Sequence, residues 1–325
     1  MNFEDIPTLL TPEKLPYLSG DTWTIFALQH ICAAISHQTL TMNSHDSSDQ
    51  RIDYTAVRRY FQAAGSNTAE IASSMAHEQN LPEDSVRYRR RKETATIADW
   101  LDAVPRAGRV LDLGCGAGAW TKIFADRYDS VVGFEQSSTM AAAARTLLAP
   151  FPGAKVVEGD VRKDLPTGPF DLVFLGGLCM YLNDSDAVAM LRSLKERLAS
   201  GASIVLREST VPRGKLIPRG DYQAVYRNVS LYQDLFRRAG FPTSEFRRNY
   251  AYTSMEVAVE LVEARRKSLR FLPAHSPFLG ALTWYWLRAV APLSFWFLPR
   301  VLSRLQVEWP RLQNYFFRLR SPESS

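Results

Sequence analysis

The sequence predicts an α/β fold: a doubly wound, mostly parallel sheet with helices on both faces. Three observations lead there. Short β-branched runs alternate with amphipathic runs between residues 96 and 208. A glycine-rich string joins the first of those runs to the helix-like stretch that follows it. A chain of 325 residues, at roughly 150 residues per domain, holds about two domains or one domain with large additions.

Five runs read as strands: Arg109–Leu113, Ser130–Glu135, Ala154–Glu158, Phe170–Leu175 and Ala202–Arg207. Each is short and rich in Val, Ile, Leu or Phe, as strands buried on both faces are. Between them Ala119–Tyr128, Ser138–Leu148 and Asp184–Ala199 read as helices. Upstream, Thr22–Thr39, Tyr54–Ala64 and Thr68–Gln79 are helix candidates separated by polar breaks, so residues 1–95 are expected to form a helical cap. Downstream, Tyr222–Ala239 reads as a helix closed by Gly240, followed by strand-like Ser244–Tyr250. Met255–Glu263 alternates with period two and reads as another strand, with a helix continuing to Lys267 as the alternative. The core is thus expected over 96–268. Residues 269–325 change composition abruptly and form a basic, aromatic, helical extension.

Composition narrows the class. Hydrophobic residues make up 46% and charged residues 22%, values that exclude a disordered chain, a collagen and a polytopic membrane protein. The net charge of +5 is mild. Three cysteines, Cys32, Cys115 and Cys179, without CxxC spacing suggest neither a disulfide framework nor a metal site. The acidic start lacks the basic and apolar regions of a signal peptide, so a cytoplasmic protein is expected.

The most informative string is Val110-Leu-Asp112-Leu-Gly114-Cys-Gly116-Ala-Gly118-Ala-Trp120. Alternating glycines after a strand and before a helix let the backbone turn sharply and let a ligand come close. Dinucleotide sites share that trait. Here, however, the third glycine of GxGxxG is absent, and Asp112 precedes the loop. A carboxylate there repels a pyrophosphate and suits a ligand bearing an ammonium group. Glu135 ends the second strand, 23 residues after Asp112, where an acid can accept from both ribose hydroxyls. Asp160 and Val161 follow the third strand.

These motifs, in this order, resemble those of class I S-adenosylmethionine-dependent methyltransferases. The resemblance implies a Rossmann-like, seven-stranded sheet whose last pair is antiparallel, with S-adenosyl-L-methionine as cofactor. It implies that Gly114, Gly116 and Gly118 form the cofactor loop and that Asp112 orients the amino-acid end. Glu135 would hold the ribose, and Asp160 and Val161 the adenine.

The acceptor side is expected beside strands four and five. Three strings stand there: Met180-Tyr181-Leu-Asn-Asp184, Arg207-Glu208-Ser209, and Tyr226-Arg227 with Tyr232 six positions after Tyr226. They resemble the N-terminal unit of plant-type phosphoethanolamine N-methyltransferases, which makes Tyr181, Arg207, Tyr226, Arg227 and Tyr232 the acceptor-side candidates. The resemblance covers about 109–241. Where that family has a further arginine, this chain has Ser230, which removes a strong phosphate partner. Other readings are core packing for Tyr181, a salt bridge at the sheet end for Arg207 and Glu208, and a surface pair for Tyr226 and Arg227. No histidine falls in these motifs, although one from the N-terminal segment could fold over the site. Without an evident base, N-methylation of a small-molecule or lipid-linked acceptor is favoured slightly over O-methylation. A non-catalytic S-adenosylmethionine-binding scaffold is the alternative, and a nicotinamide oxidoreductase is disfavoured by Asp112 and Asp160.

From Arg265 to Arg320 ten basic residues meet one acid, Glu308, before the final tail, and aromatic rings are interleaved. Such a segment suits an anionic membrane surface, contacted through 269–320 from the cytoplasmic side. The other destinations for those rings are the protein core and a second copy of the chain in a homodimer. No nucleic acid partner is expected.

Overall fold

The computed structural model describes residues 51–65, 80–218, 222–269, 271–297, 300–301 and 310–320. The helix candidates Thr22–Thr39 and Thr68–Gln79 lie outside these residues. The chain falls into two compact units, 49–262 with 274–325 and 1–48 with 263–273. The fold below is that of the first.

Its strands are β1 (Arg109–Leu113), β2 (Ser130–Glu135), β3 (Ala154–Glu158), β4 (Phe170–Leu175) and β5 (Leu198–Thr210), with short β6 (Lys215–Leu216) and β7 (Tyr226–Arg227), then β8 (Glu245–Arg248) and β9 (Gln313–Arg320). The order β3-β2-β1-β4-β5 is parallel throughout. β9 lies antiparallel between β5 and β8. The chain reverses direction of winding between β1 and β4, which opens a crevice at the carboxyl ends of those strands.

Helices are α1 (Tyr54–Gly65), α2 (Glu83–Thr96), α3 (Ala98–Asp102), α4 (Ala119–Ala125), α5 (Ser138–Leu148), α6 (Asp184–Lys195), α7 (Val229–Arg238), α8 (Tyr250–Ser268) and α9 (Pro277–Ala289). Leu111, Leu113, Val173, Leu175, Ile204 and Leu206 pack one side of the sheet against Leu191 and Leu194 of α6 and Leu235 and Phe236 of α7. Val110, Leu172, Phe174 and Val205 pack the other side against Trp100, Trp120 and Phe124. β1, β2, β4 and the second half of β5 are buried on both faces, whereas β3, at the sheet edge, is not.

Four expectations are corrected. The sheet has nine strands rather than seven, and Tyr222–Ala239 is helical only from Val229, where the Asn228 side chain caps α7 just after β7. Met255–Glu263 is not a strand but the middle of α8. Its Met, Ala, Glu, Leu and Arg residues are strong helix formers. Ala251, Ser254, Met255, Ala258 and Val262 fall on one buried helical stripe, so the short alternation was a weaker signal than the 3.6-residue period around it. The antiparallel strand comes instead from residues 313–320, expected in the extension. Phe316, Phe317 and Leu319 are fully buried there, alongside β5.

Candidate active site at the carboxyl edge of the sheet

The turn after β1 is tied to the end of β2. The amides of Gly114 and Cys115 both donate to the Phe134 carbonyl, at 2.8 and 3.1 Å. Gly116 has φ of +54° and Gly118 of +85°, backbone that L side chains rarely adopt. A Cβ on Gly116 would meet nothing within 4 Å, so the loop apex faces open space. On Gly118 a Cβ would stand 3.1 Å from Ala144 Cβ, and glycine there lets α4 and α5 approach.

Glu135 reaches into this turn. Its Oε2 accepts from the Gly116 amide at 2.9 Å and its Oε1 from the Ser137 amide at 2.8 Å. Each oxygen keeps a lone pair for a further donor, such as a ribose hydroxyl. Burial pushes its carboxyl up, against the lowering effect of those amides.

Asp112 is buried, with Thr121 Oγ1 donating to its Oδ2 at 2.6 Å. Burial is the main reason its carboxyl is pushed up to about 7. Thr121 opposes that rise, the Glu135 charge adds to it, and Arg90 and Arg207 oppose it. Between roughly pH 4 and 7 the folded chain therefore holds a proton there that the unfolded chain has lost. The resulting stabilisation is full below the ordinary carboxylate value and is lost as pH rises through about 7. An ammonium-bearing ligand favours the ionised form, so its affinity should change in the opposite sense. Calorimetry with S-adenosylhomocysteine is expected to show affinity falling below about pH 7, by at most about tenfold per pH unit for one coupled proton. Asp112→Asn should bind weakly and flatten that profile. A profile equally steep in that variant would place the titration elsewhere.

Asp160 sits two residues beyond β3 and is held by Arg162: the backbone amide and Nε donate to its Oδ1 at 3.0 Å, and Nη2 to its Oδ2 at 2.6 Å. Although burial raises its pKa, those bonds and the Arg162 charge bring it below the ordinary value. Val161 is buried in the core beside it. The cofactor fits this edge: the glycine apex is open, and Asp112 and Glu135 retain acceptor capacity. Asp160 would share its oxygens with Arg162.

On the acceptor side, Tyr181 follows β4 in a single 3₁₀ turn, Cys179–Tyr181. Its hydroxyl lies 2.9 Å from that of Tyr222, to which Tyr226 Oη also donates at 3.3 Å. Burial pushes all three phenols up, so they stay protonated at neutral pH. Tyr226 is thus neither a surface residue nor a base.

Arg227 is fully engaged. All of its N–H groups donate: Nε and Nη2 to Asp184, Nη1 to the carbonyls of Cys179 and Val225, and Nη2 to that of Leu182. Tyr232 is buried, stacks on Phe236, and donates to Glu208 at 3.3 Å. Glu208 also accepts from the amides of Cys179 and Met180, and burial pushes its carboxyl up to about 7. Arg227, Glu208 and Tyr232 therefore fasten the 179–184 segment from behind. Arg207 donates to Glu93 at 3.2 Å and to the Gly176 carbonyl at 2.9 Å.

Two helices that carried no legible motif also build this edge. α1 crosses it: Tyr54 Oη accepts from the Asn183 amide, Phe61 packs edge-on against Tyr181, and Tyr60 against Tyr222. Arg58 approaches Asp160 at 3.9 Å, and Arg162 lies over the Tyr54 ring. α2 supplies buried Arg89 and Glu93. This helix, with its charged run Arg87 to Glu93, is not among the helix candidates of the cap. The available signal was that Ser85, Arg89 and Glu93 recur every four residues. His30, His37, His45 and His77, one of which could have closed over the site, lie outside the described residues.

Parts of the chain resemble known proteins. A family profile described as "Methyltransferase domain" matches residues 110–201. The trans-aconitate 2-methyltransferase of Rhizobium etli is 35% identical over 116 residues, 34% of this chain and 42% of that relative. The phosphoethanolamine N-methyltransferase of Triticum aestivum is 26% identical over 205 residues, 59% of this chain and 39% of that relative. The chain spans about half or less of the length of the curated relatives it matches. A solved Haemonchus contortus phosphoethanolamine N-methyltransferase 2, with phosphomonomethylethanolamine and S-adenosylhomocysteine, has the same fold: TM-score 0.53, 15% identity, 81% of this chain and 61% of that one. Residues 110–201 thus form a methyltransferase domain, and the chain is built on the class I S-adenosylmethionine-dependent methyltransferase fold.

Proposed function

We infer that this protein transfers a methyl group from S-adenosylmethionine to a small-molecule or lipid-linked acceptor, with nitrogen favoured over oxygen. The observation carrying this reading is the row Asp112, Glu135 and Asp160 at the ends of adjacent strands around an open glycine apex. Asp112 meets the α-ammonium and Glu135 the ribose, while Asp160 and Val161 meet the adenine.

When bound, the cofactor supplies a methyl already activated by its sulfonium, so the chain's own task is positioning and exclusion of water. α1 covers the edge. Tyr181, Tyr222 and Tyr226 remain protonated; Tyr226 donates to Tyr222 and one further proton lies between Tyr222 and Tyr181, so the trio keeps one O–H to offer an acceptor and no base to remove its proton. That suits an amine or an oxyanion better than an alcohol. Arg207 faces the same side, while Arg227 and Tyr232 support the loop.

Calorimetry with S-adenosylmethionine and S-adenosylhomocysteine, followed by a product screen for a mass gain of about 14 per methyl, tests the reading. Binding with turnover of an amine is the expected result. Binding without turnover over a broad acceptor panel would favour the scaffold role, and turnover of only neutral hydroxyls would reverse the preference for nitrogen.

The aromatic segment divides its rings. Trp284 is buried and packs edge-on against Tyr88 of α2. Phe278, Leu282, Tyr285 and Trp286 project from the opposite face of α9, each more than half exposed. A helix apolar on both faces wants a second cover. We assign that face to an anionic bilayer, with a second chain as the competing cover. No helix among the described residues is long and apolar enough to cross a membrane. Removing 269–325 would also remove β9, so point changes are the cleaner test. Phe278→Glu with Trp286→Glu is expected to cut co-sedimentation with phosphatidylserine vesicles by at least about tenfold, each charge costing a few kcal/mol of interfacial burial. Unchanged co-sedimentation would remove the bilayer, and a dimer that dissociates in this variant would install the second chain.

A further inference from the structure

Behind the glycines that follow β4 lies a buried polar cluster that the reading above leaves largely unused. Its centre is Glu93, with no exposed side-chain surface, which accepts from Arg207 Nη1 at 3.2 Å and from Asn249 Nδ2 at 2.9 Å. Arg89 Nε stands 3.9 Å from Glu93, with 8% of its side chain exposed. Arg89 and Arg207 both lie over the Tyr252 ring, at 5.6 and 5.5 Å. Arg90 is the third guanidinium, set over Trp120.

The charges do not balance. Two guanidiniums, Arg89 and Arg207, pair with the one carboxylate of Glu93, and Arg90 pairs with none among the described residues, since Asp112 is turned to Thr121 and Glu208 to the amides of Cys179 and Met180. Nor are the hydrogen bonds complete. The buried Nε–H groups of Arg89, Arg90 and Arg207 have no hydrogen-bond partner among the described residues. Buried, unmatched cations with idle donors are costly unless an anion joins them. The crowding is felt electrostatically: burial, then the Arg89 charge, lowers Arg90 to about 10.

The cluster also has an opening. Arg207 is the least buried of the pair, with 15% of its side chain exposed. Gly177, with φ of +93°, lies against this guanidinium: a Cβ there would sit 3.7 Å from Arg207 Nη2, at ordinary contact distance. A guanidinium fork offers two parallel donors to an oxyanion, which a lysine cannot.

We propose that Arg207, with Arg89 behind it on the Tyr252 ring, binds an oxyanion of the methyl acceptor, a carboxylate or a phosphate. This rests on the methyl-transfer reading and deepens it by naming a substrate class. It also moves the anion away from Arg227, whose donors are spent on the 179–184 segment.

The test uses the full chain saturated with S-adenosylhomocysteine and titrated calorimetrically with inorganic phosphate, with succinate, and with methylammonium as the cationic control. Saturable binding of phosphate or succinate, but not methylammonium, is expected, and which of the two binds tells the carboxylate from the phosphate. Arg207→Gln, kept saturated with S-adenosylhomocysteine throughout, is expected to weaken the oxyanion at least tenfold. Arg207→Lys, which keeps the charge opposite Glu93 and hence the fold, is expected to weaken it several-fold. Oxyanion affinity unchanged in both variants, or no oxyanion binding by a chain that binds S-adenosylhomocysteine, overturns this proposal alone. Failure of S-adenosylhomocysteine to bind the folded wild-type chain overturns the methyl-transfer reading beneath it.

Discussion

Glu135→Ala is expected to reduce affinity for S-adenosylhomocysteine by roughly thirty- to a thousandfold, from the loss of about 2–4 kcal/mol in two hydrogen bonds to a charged acceptor. The carboxylate has two tasks. It accepts from the Gly116 and Ser137 amides, which shapes the glycine turn, and it keeps a lone pair on each oxygen for the ribose. Alanine removes both. Glu135→Gln retains one acceptor oxygen and should fall between wild type and alanine. Calorimetry reads the affinities, and circular dichroism checks that each variant is folded. Wild-type affinity in a folded Glu135→Ala chain would remove Glu135 from the cofactor site.

Arg227→Ala is expected to act on stability instead. The guanidinium is 1% exposed and ties Asp184 to the carbonyls of Cys179, Val225 and Leu182. Removing it leaves the buried carbonyls of Cys179, Val225 and Leu182 without donors, a loss of about 3–5 kcal/mol to which Asp184, 38% exposed, adds little. In a unit of this size that corresponds to a fall in Tm of roughly 6–20 °C. Differential scanning calorimetry reads it. A variant with unchanged Tm but no turnover would return Arg227 to direct contact with the acceptor.

What the sequence disclosed and what it concealed follow from the range of the forces involved. β1 to β4, their helices and the glycine turn rest on local rules: hydrophobic runs, spacing and backbone freedom. Ser138–Leu148 was legible to the residue. Asp112, Glu135 and Asp160 were legible as acids at or just beyond the ends of adjacent strands, because strand ends fix their places. Arg227 and Tyr232 stood out as polar residues at a telling spacing, but nothing local distinguishes a side chain facing a ligand from one bracing the loop behind it. That distinction depends on Asp184 and Glu208, 43 and 24 residues away. The Arg89–Glu93–Arg207 cluster was hidden for the same reason: its members are 114 residues apart, and α2 alone looks like a solvated helix. In α8, a nine-residue alternation competed with the helical propensity of the nineteen residues containing it, and propensity prevailed.

Because β9 slots between β5 and β8, the middle of this β-structure depends on two segments about a hundred residues apart in sequence finding one another. During synthesis β5 emerges long before its neighbour and must wait with an unpaired, apolar edge, an open template for any other strand. Closing so large a loop makes this pairing a late and slow event, and the waiting intermediate is the species most prone to aggregate. Yield in the cell should accordingly respond more to chaperone supply and growth temperature than the final packing would suggest.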